Sequence, residues 1–104
     1  MMWQVKATNA FWETVRPFRD KYPRRDYLAI IKTIREAILE LQEKGHIEET
    51  GWDEHVLACQ PFADGNHFEF YIHDDDVLVV YFKRERRHVI RMVGVFDHRS
   101  LPSG

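Results

Sequence analysis

The sequence predicts an α+β domain in which an N-terminal strand is followed by a two-helix hairpin packed on a C-terminal antiparallel meander sheet. Three observations carry this. Apolar residues recur at intervals of four and three between Tyr27 and Leu41, apolar and polar residues alternate from His67 to His73, and Val77 to Phe82 is an unbroken apolar run. At 104 residues the chain is near the ordinary size of one domain, so residues 1–104 are read as a single unit with one core. Apolar residues make up 44% and charged residues 31%, a balance that excludes a disordered tail or a fibre.

Trp3 to Ala7 alternates apolar with polar, as a short strand does. Thr8 or Asn9 then caps a helix carrying Phe11, Trp12, Val15 and Phe18, which Pro17 kinks or ends near Arg16. Pro23 suits the first turn of a second helix, and Gly45, just beyond Lys44, suits its end. Between them Tyr27, Ile31, Ile34, Ile38 and Leu41 fall on one face, which anchors the helices at roughly 1.5–3 kcal/mol per fully buried large side chain.

From Gly45 to Gly65 no helix or strand is predicted, and a stretch so long in a compact domain is expected to be a working loop. Phe68, Phe70 and Ile72 then alternate with His67, Glu69, Tyr71 and His73, giving a strand with one buried face. Asp74-Asp75 reads as a turn, Val77 to Phe82 as a central strand apolar on both faces, Lys83 to Arg87 as a charged hairpin tip, and His88 to Phe96 as the last strand. If Ile90 and Met92 face the helices, Val89, Arg91 and Val93 face away. Arg91 is then either a snorkelling edge residue or a phosphate ligand. The helices can cover only one face of the central strand, so something else is expected on the other.

No apolar run approaches the ~20 residues of a membrane-spanning helix, and Met1-Met2-Trp3-Gln4 lacks the layout of a secretion signal, so a cytoplasmic protein is expected. Cys59 is the sole cysteine, which excludes an internal disulfide and a cysteine-based zinc knuckle; it reads as a small buried hydrophobe. The net charge is −2, but seven carboxylates against Lys44 give the segment from Glu36 to Glu54 a charge of −6, so the remainder carries +4. Two basic clusters supply it: Arg16, Arg19, Lys21, Arg24 and Arg25, then Lys83, Arg84, Arg86, Arg87 and Arg91. Such patches can attract phosphate locally even on an acidic chain, because salt screens beyond ~8 Å, and two solvated basic surfaces are the other reading.

Six histidines are present, and His55, His67, His73, His88 and His98 lie in the second half. Histidine is the natural acid or base near neutral pH, so cleavage of RNA without a metal is within reach of this composition. The reaction needs one group to take the 2′-hydroxyl proton, one to protonate the leaving oxygen and a cation on the phosphate. His98, Arg91 and a histidine or carboxylate from residues 55–76 would supply them. A metal is not expected, since the spacing of His67, Glu69, Tyr71 and His73 along a strand matches no metal motif. The sequence contains no GxGxxG, phosphate loop or GxSxG, and no cofactor is expected.

The order of strand, two helices and meander, together with DDDVLVVYFKRERRHVIRMVGVFDHRSL from Asp74 to Leu101, resembles the RelE/ParE toxin superfamily, and within it the YafQ-like ribosome-dependent mRNA interferases. Glu54-His55-Val56-Leu57 looks like that family's acidic-His-x-Leu segment. Asp76 stands where the family has an aspartate before the central strand, and Arg91 and His98 keep the family's arginine-to-histidine spacing of seven. The resemblance implies that His98 is the general acid, that Arg91 holds the scissile phosphate, and that His55 with Asp76 activates the attacking hydroxyl or positions the RNA. The family's second histidine falls at Ile72 here, next to His73, which is the remaining candidate. A toxin of a type II toxin-antitoxin pair is implied, acting on mRNA on the ribosome and held by a cognate antitoxin, a ribbon-helix-helix protein. Two other readings fit the same scaffold: a ParE-like toxin that poisons DNA gyrase without hydrolysis, and an inactive protein-interaction domain.

Overall fold

A computed structural model of the chain describes residues 2–48, 65–72 and 77–97, and residues 55–56 in their backbone. Five strands, β1 (Gln4–Lys6), β2 (His55–Val56), β3 (His67–Ile72), β4 (Val77–Arg84) and β5 (Val89–Phe96), form one sheet in the order β1-β5-β4-β3-β2. With the helices α1 (Asn9–Glu13), α2 (Phe18–Lys21) and α3 (Arg24–Lys44), the fold is α+β. No described helix is long and apolar enough to cross a membrane.

The meander β3-β4-β5 is antiparallel, as the short connections between its strands predict. The sheet as a whole is mixed, because β1 runs parallel to β5, with Gln4, Val5 and Lys6 opposite Val89, Ile90 and Arg91. The stretch from Gly45 to Gly65, expected to hold no strand, contains β2, which pairs antiparallel with β3. Two residues are too few for an alternation to register in the sequence.

The first predicted helix is two short ones. Thr8 caps α1 as expected, its hydroxyl accepting from the Phe11 amide at 3.4 Å. The helix stops at Glu13 because the chain tightens into i→i−3 hydrogen bonds, Thr14 to Phe11 and Val15 to Trp12, ahead of Pro17, which has no N–H to continue the ladder. The chain re-enters helix at Phe18, and Phe11, Val15 and Phe18 are all buried. Pro23 takes the cap position of α3 rather than its first turn. Gly45 ends α3 in the left-handed conformation at φ 77°, its amide donating to the Leu41 carbonyl at 2.9 Å.

The buried stripe of α3 is Ile30, Ile34, Ala37 and Leu41, and the expected members Tyr27, Ile31 and Ile38 lie half-buried at its margins. The helix is thus rotated from the predicted face. Ala37, fully buried, presents its methyl alone to the core and so counts for little in a pattern of large side chains. Glu40 also sits on the buried side at 7% exposure, where its carboxylate accepts the Glu48 amide at 2.8 Å.

Against the helices lie Phe70 and Ile72 of β3, Val77, Val79 and Tyr81 of β4, and Ile90, Met92 and Val95 of β5. A bulge keeps β5 in this pattern: Tyr81 pairs with Met92 but Val80 with Gly94, so Val93 is the extra residue and Val95 returns to the helix face opposite Val79. On the other face the chain covers part of its own central strand. Val80 is fully buried there with Val93 and Phe96 packed on it, and Leu78 is buried as well. Lys83, expected at the hairpin tip, is still in β4 and is 5% exposed, its ammonium 4.3 Å from the Phe68 ring centroid. The tip itself is a 3-10 turn, Glu85–Arg87, closed by His88 at φ 52°.

Candidate nucleic-acid interface

Strand register places four chemically distinct side chains in one line. Phe82 is opposite His67 on one side and Arg91 on the other, and Arg91 is opposite Lys6. Residues paired across a sheet share a face, so His67, Phe82, Arg91 and Lys6 form a transverse row over β3, β4, β5 and β1. Their parity is opposite to that of Tyr81, Ile90 and Met92, which puts the row on the face away from the helices. Arg84 and Val89, paired with each other, stand two residues along on the same face.

These residues and the adjoining turn make a cleft of about 340 Å³ lined by Lys6, Phe82, Arg84, Arg87, Val89 and Arg91. Among the described residues its lining holds four cationic side chains and no carboxylate. The guanidinium carbons of Arg84 and Arg91 lie 5.7 and 5.6 Å from the Phe82 ring centroid, within cation–π range. The His67 ring is 5.0 Å from Phe82, tilted at 56°. Four like charges around one hollow repel each other, and an anion in the hollow relieves that repulsion. Guanidinium groups held by a ring face keep N–H donors for a bidentate phosphate contact.

Arg91 is therefore placed as the sequence suggests, exposed and facing away from the helices between half-buried Val89 and Val93. It is not an edge residue, because β5 has β1 on one side of it and β4 on the other. The edge position of the first reading is thus not met. His55 is in β2, its backbone opposite Glu69. The strands β3 and β4 separate β2 from β5, which at ~4.8 Å per strand sets the two backbones roughly 14 Å apart. The other candidates, Asp76, His73 and His98, lie outside the described residues, as do Cys59 and the Asp74-Asp75 turn. Asp97, the last described residue, forms an ion pair with Lys21 of α2.

Lys6, Phe82 and Arg84 were legible only in part. The late basic cluster points to Arg84, Arg87 and Arg91, but also to Arg86, which is not in the lining, and to Lys83, which the sheet buries on the opposite face. Phe82 passed for core because it ends an apolar run, and nothing local links Lys6 to a strand 85 positions later. The early basic cluster contributes no residue to the cleft lining; Arg16 pairs with Glu13 at 3.3 Å and Lys21 with Asp97. Among the described residues no group of three or more His, Cys, Asp or Glu side chains is arranged to hold a metal ion.

No protein-family model matches the chain, and no curated protein and no solved structure matches it.

Proposed function

We propose that the chain is the toxin of a type II toxin-antitoxin pair, a RelE/ParE-like endoribonuclease of the YafQ kind that cleaves mRNA on the ribosome. The observation that carries the reading is the cleft around Arg91, in which Lys6, Arg84 and Arg87 add positive charge and, among the described residues, no carboxylate joins the lining. The element order of strand, helices and meander supports the same assignment.

In this mechanism the 2′-hydroxyl attacks the adjacent phosphorus as the bond to the 5′-oxygen breaks, leaving a 2′,3′-cyclic phosphate and a free 5′-hydroxyl. Charge grows on the non-bridging oxygens, where the Arg91 guanidinium donates to it. His98 protonates the departing 5′-oxygen, and Asp76 or His73 takes the proton from the 2′-hydroxyl. His55, three strands from Arg91, is assigned to positioning RNA rather than to proton transfer. The cognate antitoxin, a ribbon-helix-helix protein, covers the sheet face away from the helices and sets acidic side chains into the cleft.

The test is expression of the wild type and His98→Ala in growing cells. The wild type is expected to arrest translation and degrade message, and the variant to relieve both while its circular dichroism is unchanged. Full toxicity in His98→Ala removes that histidine from the mechanism. DNA damage ahead of message loss points to a gyrase poison instead, and an inert wild type points to an interaction domain.

A further inference from the structure

We infer that Phe82 is a stacking platform for one unpaired base of a single-stranded polynucleotide, with the flanking phosphates held by Arg91 and Lys6 on one side and by Arg84 on the other. The inference rests on the nucleic-acid reading of the cleft and names the form of ligand it takes. Phe82 is half-buried on the face away from the helices, two residues beyond the buried Val80, and lines the cleft. It has cations on two sides, at 5.6 and 5.7 Å from its centroid, and a second ring, His67, at 5.0 Å. An aromatic floor inside a ring of cations suits a ligand that alternates flat, uncharged groups with anionic ones, which a single polynucleotide strand does. A duplex does not present its base faces, since they are stacked on one another, and A-form RNA shows side chains only edges, sugars and phosphates. An acidic peptide would gain from the four cations but brings no flat uncharged group between its charges to set beside the ring. The cleft, at about 340 Å³, is at the small end of ligand pockets, in keeping with one nucleotide at a time.

The experiment measures binding of the full chain, in a His98→Ala background to prevent cleavage, to an eight-nucleotide oligouridylate, the matching DNA, an eight-base-pair RNA duplex, inorganic polyphosphate and oligoglutamate at one fixed salt concentration. Single strands are expected to bind tightest, and Phe82→Leu to weaken them by about 5- to 150-fold while polyphosphate binding is unchanged. Phe82→Trp is expected to hold or tighten them. Equal weakening of oligonucleotide and polyphosphate by Phe82→Leu overturns the inference, because Phe82 then only holds the guanidiniums. Duplex binding as tight as single-strand binding overturns it too, and oligoglutamate binding tighter than either assigns the cleft to an acidic protein. If the Leu variant does not fold, photo-crosslinking of a 5-iodouridine oligonucleotide to otherwise unaltered chain decides: a crosslink at Phe82 is expected, and one confined to another element overturns the inference. Loss of all nucleic-acid binding in the unsubstituted cleft defeats the nucleic-acid reading itself, whereas the Phe82 pattern combined with a toxic His98→Ala defeats only the assigned chemistry.

Discussion

The Val95 amide donates to the Thr14 hydroxyl at 2.8 Å, and the same hydroxyl donates to the Phe11 carbonyl at 2.6 Å. Thr14 thereby closes α1 and protects β5 at once. β1 pairs only with Val89 to Arg91, so among the described residues the later half of β5 has no strand on that side, and an unsatisfied N–H there invites pairing with another chain. Thr14→Val keeps the shape and removes the acceptor. It is expected to cost roughly 1–3 kcal/mol in denaturant unfolding, with Thr14→Ser close to the wild type; an unaltered midpoint in the valine variant refutes this role.

Gly45→Ala is expected to destabilise the chain by about 1–3 kcal/mol, since its left-handed backbone at φ 77° strains any side chain and a Cβ there collides with the Trp3 indole. Trp3→Ala removes the collision but not the strain. The double variant should therefore unfold at a smaller cost than the two single losses combined, and strict additivity in a double-mutant cycle excludes the contact.

Ile34 is 0% exposed at the middle of the α3 stripe. Ile34→Asp is expected to abolish the cooperative melting transition, and Ile34→Val to cost about 0.5–1.5 kcal/mol. A transition like that of the wild type in the aspartate variant contradicts the placement of α3.

The Lys44 ammonium donates to Glu48 at 3.1 Å, and that hydrogen bond, with the Lys44 charge and then His46, holds the Glu48 carboxyl below its usual range. A carboxylate depressed in the folded state contributes stability above its unfolded pKa and loses it as pH falls through the folded one. Lys44→Met is thus expected to raise the Glu48 titration midpoint seen by NMR, and to make the stability of the variant and the wild type converge at acid pH. A Glu48 midpoint that does not move assigns the shift to another group.

Charge removal separates the cleft from the rest of the surface. Arg91→Ala and Lys6→Ala are each expected to lower the salt slope of single-strand binding by about 0.7. Arg16→Ala, which removes an exposed partner of Glu13 outside the cleft, should leave it unchanged. Equal slopes in all three place the bound strand elsewhere.

What the sequence determined alone was where the main elements lie and how the strand residues alternate. The alternation of β3, the apolar run of β4, the αL glycine after α3 and the outward parity of Arg91 all follow from neighbours within a few positions, because backbone geometry repeats every 2.0 or 3.6 residues. The tertiary structure decided which repeats meet. Lys83 and Arg84 are both basic and adjacent, yet one is buried against Phe68 and the other lines the cleft, since strand parity outranks polarity. Lys6 joins Arg91 only through the parallel pairing of β1 with β5, and the α3 face turned to the sheet depends on how closely Ala37 lets the helix approach. Those choices rest on packing between segments distant in the chain, which no local pattern encodes.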